Sequence, residues 1–325
     1  MAYSEAILRR AEARLEEERR RHDAEAGRRK EAIYASQPRL REIDLALRQT
    51  AAKVMAACCR DAQDPAEAIE RLHAENRALQ EERSWILESN DLDPDDLDPQ
   101  PLCPDCGGRG YLGAVMCSCL KELCRQEQKK ELSMLPAGGK DCFENFRTDC
   151  YPDTYDPVLQ CSPRTLMESI RNSARHYART FSPESGSILM LGATGLGKTL
   201  LSACIARKVA ESGFGVTYET ANRVFGDFEA EKFGKAADSG LTKRYLDCDL
   251  LILDDLGTEM TTQFTVSALY QLVNSRMMAH LPTIISTNLP VAELGVRYGA
   301  QIESRLLGTY ELYQFRGNDV RRMHT

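Results

Sequence analysis

The chain has 325 residues, of which 42% are hydrophobic, and its formal net charge at neutral pH is −7. This length is enough for two domains, and the acidic balance excludes a uniformly basic nucleic-acid-binding protein while allowing a local basic patch. No apolar run is as long as a membrane-spanning helix, and the N-terminal MAYSEAILRRAEARLEEE lacks the apolar core of a secretory signal, so we expect a cytoplasmic protein with no membrane partner.

Residues 1 to 90 predict helices, because Ala, Leu, Glu, Arg and Gln dominate and glycine and proline are nearly absent. Breaks near Pro38 and Pro65 predict three helices in this part of the chain. The almost wholly charged stretch EEERRRHDAEAGRRKE is interpreted as a solvated helix face, and an arm that docks onto a partner is the alternative. The acidic, proline-rich DLDPDDLDPQP, residues 91–101, predicts a linker or a turn-rich entry to the segment that follows.

Residues 103–119, CPDCGGRGYLGAVMCSC, carry four cysteines in two close pairs. A reducing compartment disfavours disulfides, and no βαβ unit surrounds the first pair as a thioredoxin-like motif requires. Two short-spaced pairs can instead place four thiolates around one tetrahedral zinc. We predict a closed, structural zinc site, with Cys124 as a possible substitute ligand and most other cysteines as buried, reduced hydrophobes. The predicted ligands are Cys103, Cys106, Cys117 and Cys119.

Residues 120–135 again predict a helix, and residues 136–162 predict an irregular linker. From residue 163 onwards helices alternate with short apolar strands, a pattern typical of a parallel sheet with helices on both faces. We therefore predict a helical N-terminal module with the zinc knuckle over 1–135, a linker over 136–162 and an α/β domain over 163–325.

The strongest motif is SILMLGATGLGKTLLSACIARKVAES, in which an apolar strand over 188–191 precedes a phosphate-binding loop and a helix. The loop fits G-x-x-x-x-G-K-[ST] at every fixed position, which makes a chance glycine turn a weak alternative. Glycines let backbone N–H groups turn around the β-phosphate of ATP, and the helix N-terminus adds partial positive charge. Lys198 is predicted to reach the β- and γ-phosphates, and Thr199 to bind magnesium. The predicted nucleotide-binding residues are Gly192, Ala193, Thr194, Gly195, Leu196, Gly197, Lys198, Thr199, Leu200 and Asp254.

Polar residues at the ends of two further strands complete the predicted site. In DCDLLILDDLGTE a buried strand over 250–253 leads to Asp254, predicted to hold magnesium through water, and Asp255, predicted to orient or deprotonate the attacking water. In LPTIISTNLP, Asn288 follows another strand and either reaches the γ-phosphate or forms a turn. Arg305, on a later helical stretch, is either a surface salt-bridge residue or a finger that reaches a neighbour's nucleotide.

The motifs GATGLGKT, LLILDDLGTE, IISTN, ESRL and FRGNDVRR occur in one order over residues 187–322. With them the chain resembles the AAA+ ATPases, and more closely the DnaC/DnaI-type helicase loaders and their IstB-like relatives. The resemblance implies an AAA+ core with ASCE-type strand order, Asn288 as first sensor and Arg305 as arginine finger. The cysteine segment is similar to the zinc knuckle that precedes the ATPase domain in DnaI-like loaders. The late F-x-G-x-D-x-R pattern of this family reads here as Phe315, Gly317, Asp319 and Arg321.

In the loaders that this chain resembles, the N-terminal module grips the replicative helicase, and the ATPase domain senses ATP and single-stranded DNA and assembles with its own copies. The resemblance therefore implies an ATP-hydrolysing loader of a DnaB-family helicase, with ATP, magnesium and zinc as cofactors and a homo-oligomeric state. The segment EKFGKAADSGLTKRY is either a strip for single-stranded DNA or a solvated loop, and its cations are Lys232, Lys235, Lys243 and Arg244. An IstB-like transposition helper and an adaptor that binds ATP without useful turnover are the alternatives.

Overall fold

The computed structural model describes residues 3–59, 65–135, 143–234 and 240–320. The chain divides into two compact units, one comprising Ala13–Cys119 and the other comprising Met1–Glu12 with Leu120–Thr325. The second unit thus includes residues 120–135, and the division at residues 135 and 162 stays a prediction. No helix within the described ranges combines the length and the apolar character needed to cross a membrane.

Helices dominate the unit Ala13–Cys119, as the composition predicts. Pro38 and Pro65 each begin a helix, which is the position where the missing N–H of proline costs least. The apolar residues of the first three helices and of a short fourth one form a small core that includes Leu40, Ile43 and Ile86. The helices are α1 (Glu5–Ser36), whose first turns belong to the other unit, α2 (Pro38–Cys59), α3 (Pro65–Ser89) and α4 (Pro94–Leu97).

A buried polar network joins these helices beside the small core. The Tyr34 hydroxyl donates to Asp44 Oδ2 at 2.6 Å, and Arg83 Nε donates to Asp44 Oδ1 at 2.8 Å. Arg83 also donates to Asp98 Oδ2 at 2.6 Å, in the turn after α4. The acidic, proline-rich segment is thereby tied to α3 rather than left as a free linker.

The second unit contains the predicted α/β domain. Its five strands are all parallel, in the order β4-β5-β6-β3-β7, with β6 between the phosphate-loop strand β3 and the Asp254 strand β5. This order and the helices around it confirm the predicted AAA+ fold class. Its helices are α5 (Ser118–Ser133), α6 (Pro163–Thr180), α7 (Lys198–Glu211), α8 (Ala221–Phe233), α9 (Lys243–Asp247), α10 (Gln263–Met278), α11 (Val291–Tyr298) and α12 (Ala300–Thr309). The hairpin strands of the first unit are β1 (Tyr111–Leu112) and β2 (Val115–Met116), and the sheet strands are β3 (Ser187–Leu191), β4 (Val216–Thr220), β5 (Leu250–Leu256), β6 (Thr283–Thr287) and β7 (Tyr310–Gln314).

Alternate residues of the sheet strands face two separate cores. Ile188 and Ile252 pack in one core with α6 and α7, whereas Leu189 and Leu251 pack in the other with α8, α10 and α12. This alternation follows from the two-residue period of a strand, and it explains why these strands read as unbroken apolar runs. Because the strands are parallel and β6 lies between β5 and β3, the carboxyl ends of these three strands lie side by side at one edge of the sheet.

Candidate nucleotide site and candidate metal centre

The phosphate loop lies between the end of β3 and the start of α7. Gly195 and Gly197 both have φ of 85°, a left-handed conformation that favours glycine. A Cβ on Gly197 would lie 2.7 Å from Phe146 Cε2, so the loop also needs glycine for lack of space. Gly197 is the N-cap of α7, which directs the positive end of the helix towards the loop. The loop thus has the geometry of a phosphate cradle.

A cavity of about 320 Å³ lies over this loop. The side chain of Lys198 is only 5% exposed, and its ammonium group donates to the carbonyl oxygens of Gly192 at 2.6 Å and Ala193 at 2.9 Å. A buried cation beside the loop amides makes this cavity suited to an anionic ligand. Of the predicted site residues, those that line the cavity are Thr194, Gly195, Gly197, Lys198, Thr199, Leu200 and Asp255.

One wall of the cavity comes from residues 145–151, which the sequence analysis treated as part of a linker. Phe146 and Tyr151 are buried and stacked, with ring centroids 6.1 Å apart. The Tyr151 hydroxyl donates to the Leu196 carbonyl at 2.9 Å and so holds the phosphate loop directly. The only local signal for this role is the density of aromatic residues in FENFRTDCY, which by itself indicates no particular site.

The segment from Phe315 to Val320 closes the other side of the loop. The N–H of Phe315 donates to the carbonyl of Leu191 at 2.7 Å, and the N–H of Val320 donates to that of Gly195 at 3.0 Å. A Cβ on Gly195 would lie 1.9 Å from Asp319 Oδ1, so the F-x-G-x-D part of the motif packs on the loop. Arg321, the last residue of that motif, lies outside the described residues.

The carboxylate of Asp254 is only 3% exposed and is held by three hydroxyl groups. Tyr218 donates to Oδ2 at 2.7 Å, Ser286 donates to Oδ1, and Thr199 Oγ1 lies 3.5 Å from the same Oδ1. Burial and then the charge of Asp254 raise the pKa of Tyr218 well above its ordinary value, which keeps the phenol a donor. A carboxylate and a threonine hydroxyl side by side are oxygen donors of the kind that magnesium prefers, so these residues fit that ion.

Asp255 follows with a backbone conformation that is unusual outside glycine, with φ of 55°. Its N–H donates to Ser286 Oγ at 3.0 Å, and its carbonyl accepts from Thr258 Oγ1 at 2.9 Å. Its side chain is exposed and lines the cavity. The strand, predicted to end in the two aspartates, continues one residue further to Leu256, because Leu256 pairs with Thr287 beyond an irregularity in the ladder.

Neither Asn288 nor Arg305 is among the described residues that line the cavity. Asn288 follows β6 as predicted, and its Oδ1 lies 3.4 Å from the position of a Cβ on Gly257. Arg305 lies on α12, stacks on the Tyr270 ring with its guanidinium 4.7 Å from the ring centroid, and donates to Asn274 Oδ1 at 3.2 Å. No carboxylate pairs with Arg305 in the part of the chain that the structure describes, so the salt-bridge alternative has no support there.

The predicted basic strip contains an exposed aromatic residue, Phe233, which contacts the partly buried Phe264 of α10. Phe233 is 68% exposed, its ring centroid lies 5.5 Å from that of Phe264, and Lys232 Nζ lies over both rings. Arg244, by contrast, forms a salt bridge in which its guanidinium lies 2.9 Å from Asp227 Oδ2. Lys235 lies outside the described residues.

The four predicted zinc ligands come together in the first unit. All four sulfur atoms lie within 4.8 Å of one another, with Cys103 and Cys117 Sγ atoms 3.8 Å apart and those of Cys106 and Cys119 3.4 Å apart. A tetrahedral zinc with sulfur ligands at about 2.3 Å requires sulfur–sulfur distances of about 3.8 Å, so this arrangement fits the ion.

A hydrogen bond from the chain supports a thiolate in this cluster. The N–H of Gly110 donates to Cys106 Sγ at 3.2 Å. Burial alone would raise the pKa of Cys106, but this hydrogen bond and those from the neighbouring thiols lower it to about 6. The turn that aims this N–H contains Gly107, Gly108 and Gly110, all with positive φ. The ten residues between the two cysteine pairs are taken up by this turn and by the β1–β2 hairpin.

Three other described cysteines are buried but differ in their chemistry. Cys124 is not part of the four-sulfur group, and burial raises the pKa of its thiol to about 11, so it behaves as a buried hydrophobe. Cys248 is likewise buried and free. Cys204 differs from the prediction of reduced cysteines, because it is buried and disulfide-bonded.

The α/β domain is similar to known proteins. Residues 174–322 match the family described as IstB-like ATP binding protein. The replicative helicase loader DnaC of Escherichia coli K12 and that of Shigella flexneri are each 22% identical to this chain over 165 residues, which are 50% of this chain and 62% of the relative. The match thus spans about three fifths of the length of these relatives.

Two solved structures are also similar. The crystal structure of the DnaC helicase loader has a TM-score of 0.44 and 22% identity, and covers 55% of this chain and all of its own. The crystal structure of DnaI has a TM-score of 0.42 and 19% identity, and covers 46% of this chain and 85% of its own. On the family match and the sequence relatives, the resemblance to the DnaC-type AAA+ loaders is confirmed.

Proposed function

We propose that this protein is an ATP-hydrolysing loader of a DnaB-family replicative helicase. The observation that carries the proposal is the cavity over the phosphate loop, where Lys198, Thr199 and Asp255 meet and Asp254 touches Thr199. Phosphates need cations and amide donors, and hydrolysis needs a carboxylate near the attacking water. This one cavity offers all of these groups.

In the proposed reaction the loop amides and Lys198 bind the phosphates of ATP, and Lys198 exchanges its two carbonyl partners for phosphate oxygens. Thr199 and Asp254 would hold magnesium, which when bound offsets the negative charge of the phosphates. Asp255, at the cavity surface, orients the attacking water and accepts its proton. AAA+ proteins more usually have glutamate at this position. The side chain of Asp255 is one methylene shorter than glutamate and reaches less far, so we infer slow turnover.

We further propose that Arg305 completes the nucleotide site of a neighbouring copy and that Asn288 senses the γ-phosphate of its own site. Within the described chain the guanidinium of Arg305 donates to neutral oxygens and has no carboxylate partner, and it does not line the cavity of its own domain. An arginine supplied from another copy makes hydrolysis depend on assembly. Arg305→Ala should therefore abolish the rise of specific ATPase activity with protein concentration, and full activity of this variant at high concentration would contradict the role.

The remaining roles concern partners. We propose that residues 1–135, with zinc bound by the four clustered cysteines, bind the helicase. We also propose that the exposed Phe233, with Lys232 and Phe264, stacks on bases of single-stranded DNA. Phe233→Ala should weaken binding of a fluorescent oligothymidine strand. Val296→Ala, at another highly exposed apolar residue, is the control that should not change it.

The proposal is tested by light scattering after gel filtration of the full chain mixed with the replicative helicase of its host, with and without ATP. A stable complex, together with phosphate release that Lys198→Ala abolishes, is the expected result. The family match favours one other candidate, an IstB-like transposition helper. Absence of any helicase complex, combined with tight binding to duplex DNA, would overturn the loader proposal in favour of that helper.

A further inference from the structure

Two hydroxyl groups to which the sequence analysis assigned no role hold the buried carboxylate of Asp254. Tyr218 lies on β4 and donates to Oδ2 at 2.7 Å, while Ser286 lies on β6 and donates to Oδ1. Because β4 and β6 are the two neighbours of β5 in the sheet, the carboxylate is gripped from both sides.

The strand register explains how Tyr218 reaches this position. Tyr218 pairs with Ile252, and Thr220 pairs with Asp254. The backbone of Tyr218 therefore lies beside a position two residues before Asp254 in the strand. Ile252 and Asp254 point to the same face of the sheet, the face that α7 covers, and Tyr218 packs on the core of that face. Its long ring therefore runs along the sheet towards the carboxyl end, where the hydroxyl meets Oδ2.

Rotation of the carboxylate about its Cβ–Cγ bond would exchange the two oxygens. With Oδ2 engaged by Tyr218, Oδ1 stays on the side of Thr199, whose hydroxyl lies 3.5 Å away. We propose that Tyr218 and Ser286 are positioning residues that keep Oδ1 of Asp254 towards Thr199 and thereby set the affinity for the divalent cation that accompanies the nucleotide. This assignment rests on the proposed ATPase function and adds two residues to its site.

The Tyr218 hydroxyl also lies 3.5 Å from the carbonyl of Thr199, and Ser286 has a second, shorter contact of its own. Its Oγ accepts the N–H of Asp255 at 3.0 Å while its proton goes to Asp254, so one hydroxyl links the two acids. Ser286→Ala would free the carboxylate and also leave a buried N–H without its acceptor, which costs stability. Tyr218→Phe removes a single oxygen and keeps the ring in the core, so it is the cleaner variant.

The experiment measures binding of Mn²⁺ to the full chain with bound ADP by electron paramagnetic resonance, and binding of ADP alone in EDTA. The matched control is Tyr177→Phe, which removes a tyrosine hydroxyl that donates to the Gly186 carbonyl at 2.9 Å in the same domain, away from the cavity. Loss of a residue that orients a metal ligand typically weakens metal binding by about 10- to 100-fold. We expect the Kd for Mn²⁺ to rise by about tenfold in Tyr218→Phe and to stay unchanged in Tyr177→Phe, with the affinity for ADP in EDTA unchanged in both.

An unchanged Kd for Mn²⁺ in Tyr218→Phe would overturn the assignment. Equal weakening of ADP binding with and without metal would also overturn it, because that result indicates a general role in packing. A wild-type chain that bound no ADP would instead refute the proposed ATPase function, and the assignment with it. Ser286→Ala, measured in the same way, should weaken Mn²⁺ binding at least as much as Tyr218→Phe.

Discussion

Replacing Gly197 by alanine should impair nucleotide binding through two separable costs. Gly197 has φ of 85°, where a Cβ costs roughly 1–2 kcal/mol. That Cβ would also lie 2.7 Å from Phe146 Cε2, well inside the separation of about 3.5–4.0 Å at which carbon atoms pack. Phe146 is 2% exposed, and displacing a buried ring costs about 1–3 kcal/mol. The substitution should therefore cost about 2–5 kcal/mol in all.

Gly213 provides a matched control for the backbone part of this cost. It has φ of 93°, it follows the end of α7, and among the described residues no heavy atom beyond its chain neighbours lies within 4 Å of the position of its Cβ. Gly213→Ala should therefore lower the free energy of unfolding by about 1–2 kcal/mol without any steric contribution. Because Gly213 does not line the cavity, the affinity of the Gly213→Ala variant for nucleotide should equal that of the wild type.

The assays are urea unfolding and titration with a fluorescent ATP analogue. In Gly197→Ala the free loop can shift to relieve the strain. Nucleotide binding needs the native loop shape, so binding must restore the strained conformation. If restoring it costs about 2 kcal/mol of the binding free energy, the affinity drops about 30-fold. Equal unfolding free energies and equal affinities for Gly197→Ala and Gly213→Ala would refute the reasoning.

Further predictions concern the cation of the site, the metal centre and the helical unit. Lys198→Ala should abolish binding of the ATP analogue, and tight binding by this variant would show that another cation holds the phosphates. The purified chain should contain about one zinc ion by elemental analysis, and Cys106→Ser should lose it. Arg83→Ala leaves Asp44 without its cation and should lower the free energy of unfolding by roughly 1.5–3 kcal/mol in urea. Burial and then the hydrogen bond to Asp44 raise the pKa of Tyr34 from 10 to about 12, so its contribution to stability is complete below pH 10 and is lost as pH rises towards 12. Tyr34→Phe should remove that loss from the pH profile of unfolding, and an identical profile would contradict it.

The parts of the site that could be predicted are those whose signal is local. The phosphate loop is a contiguous motif, and the positions of Asp254 and Asn288 follow from the rule that parallel strands end at one edge of the sheet. The four cysteines meet because the glycine turn and the hairpin between the two pairs return the chain upon itself. In each case the spacing of the residues along the chain is enough to predict that their side chains lie close together.

The parts that could not be predicted depend on contacts between distant segments. Phe146 and Tyr151 contact the phosphate loop from about 45 residues away, and nothing in their own neighbourhood specifies that contact. The role of Tyr218 depends on the register between β4 and β5, which no local pattern specifies. Two aspartates resemble the end of a strand, whereas pairing with β6 extends β5 one residue further to Leu256.

The backbone at Asp255 bears on whether the domain hydrolyses ATP or only binds it. A non-glycine residue in the left-handed region costs of order 1 kcal/mol and persists only where the surroundings enforce it. Here Ser286 holds the N–H of Asp255 and Thr258 holds its carbonyl, so two side chains maintain the conformation. An adaptor that binds ATP without turnover needs the loop and the cation site, but it has no use for a second carboxylate held at the cavity surface in a strained conformation. The backbone conformation of Asp255 is therefore an argument for the proposed hydrolysis that is separate from the presence of the acid pair.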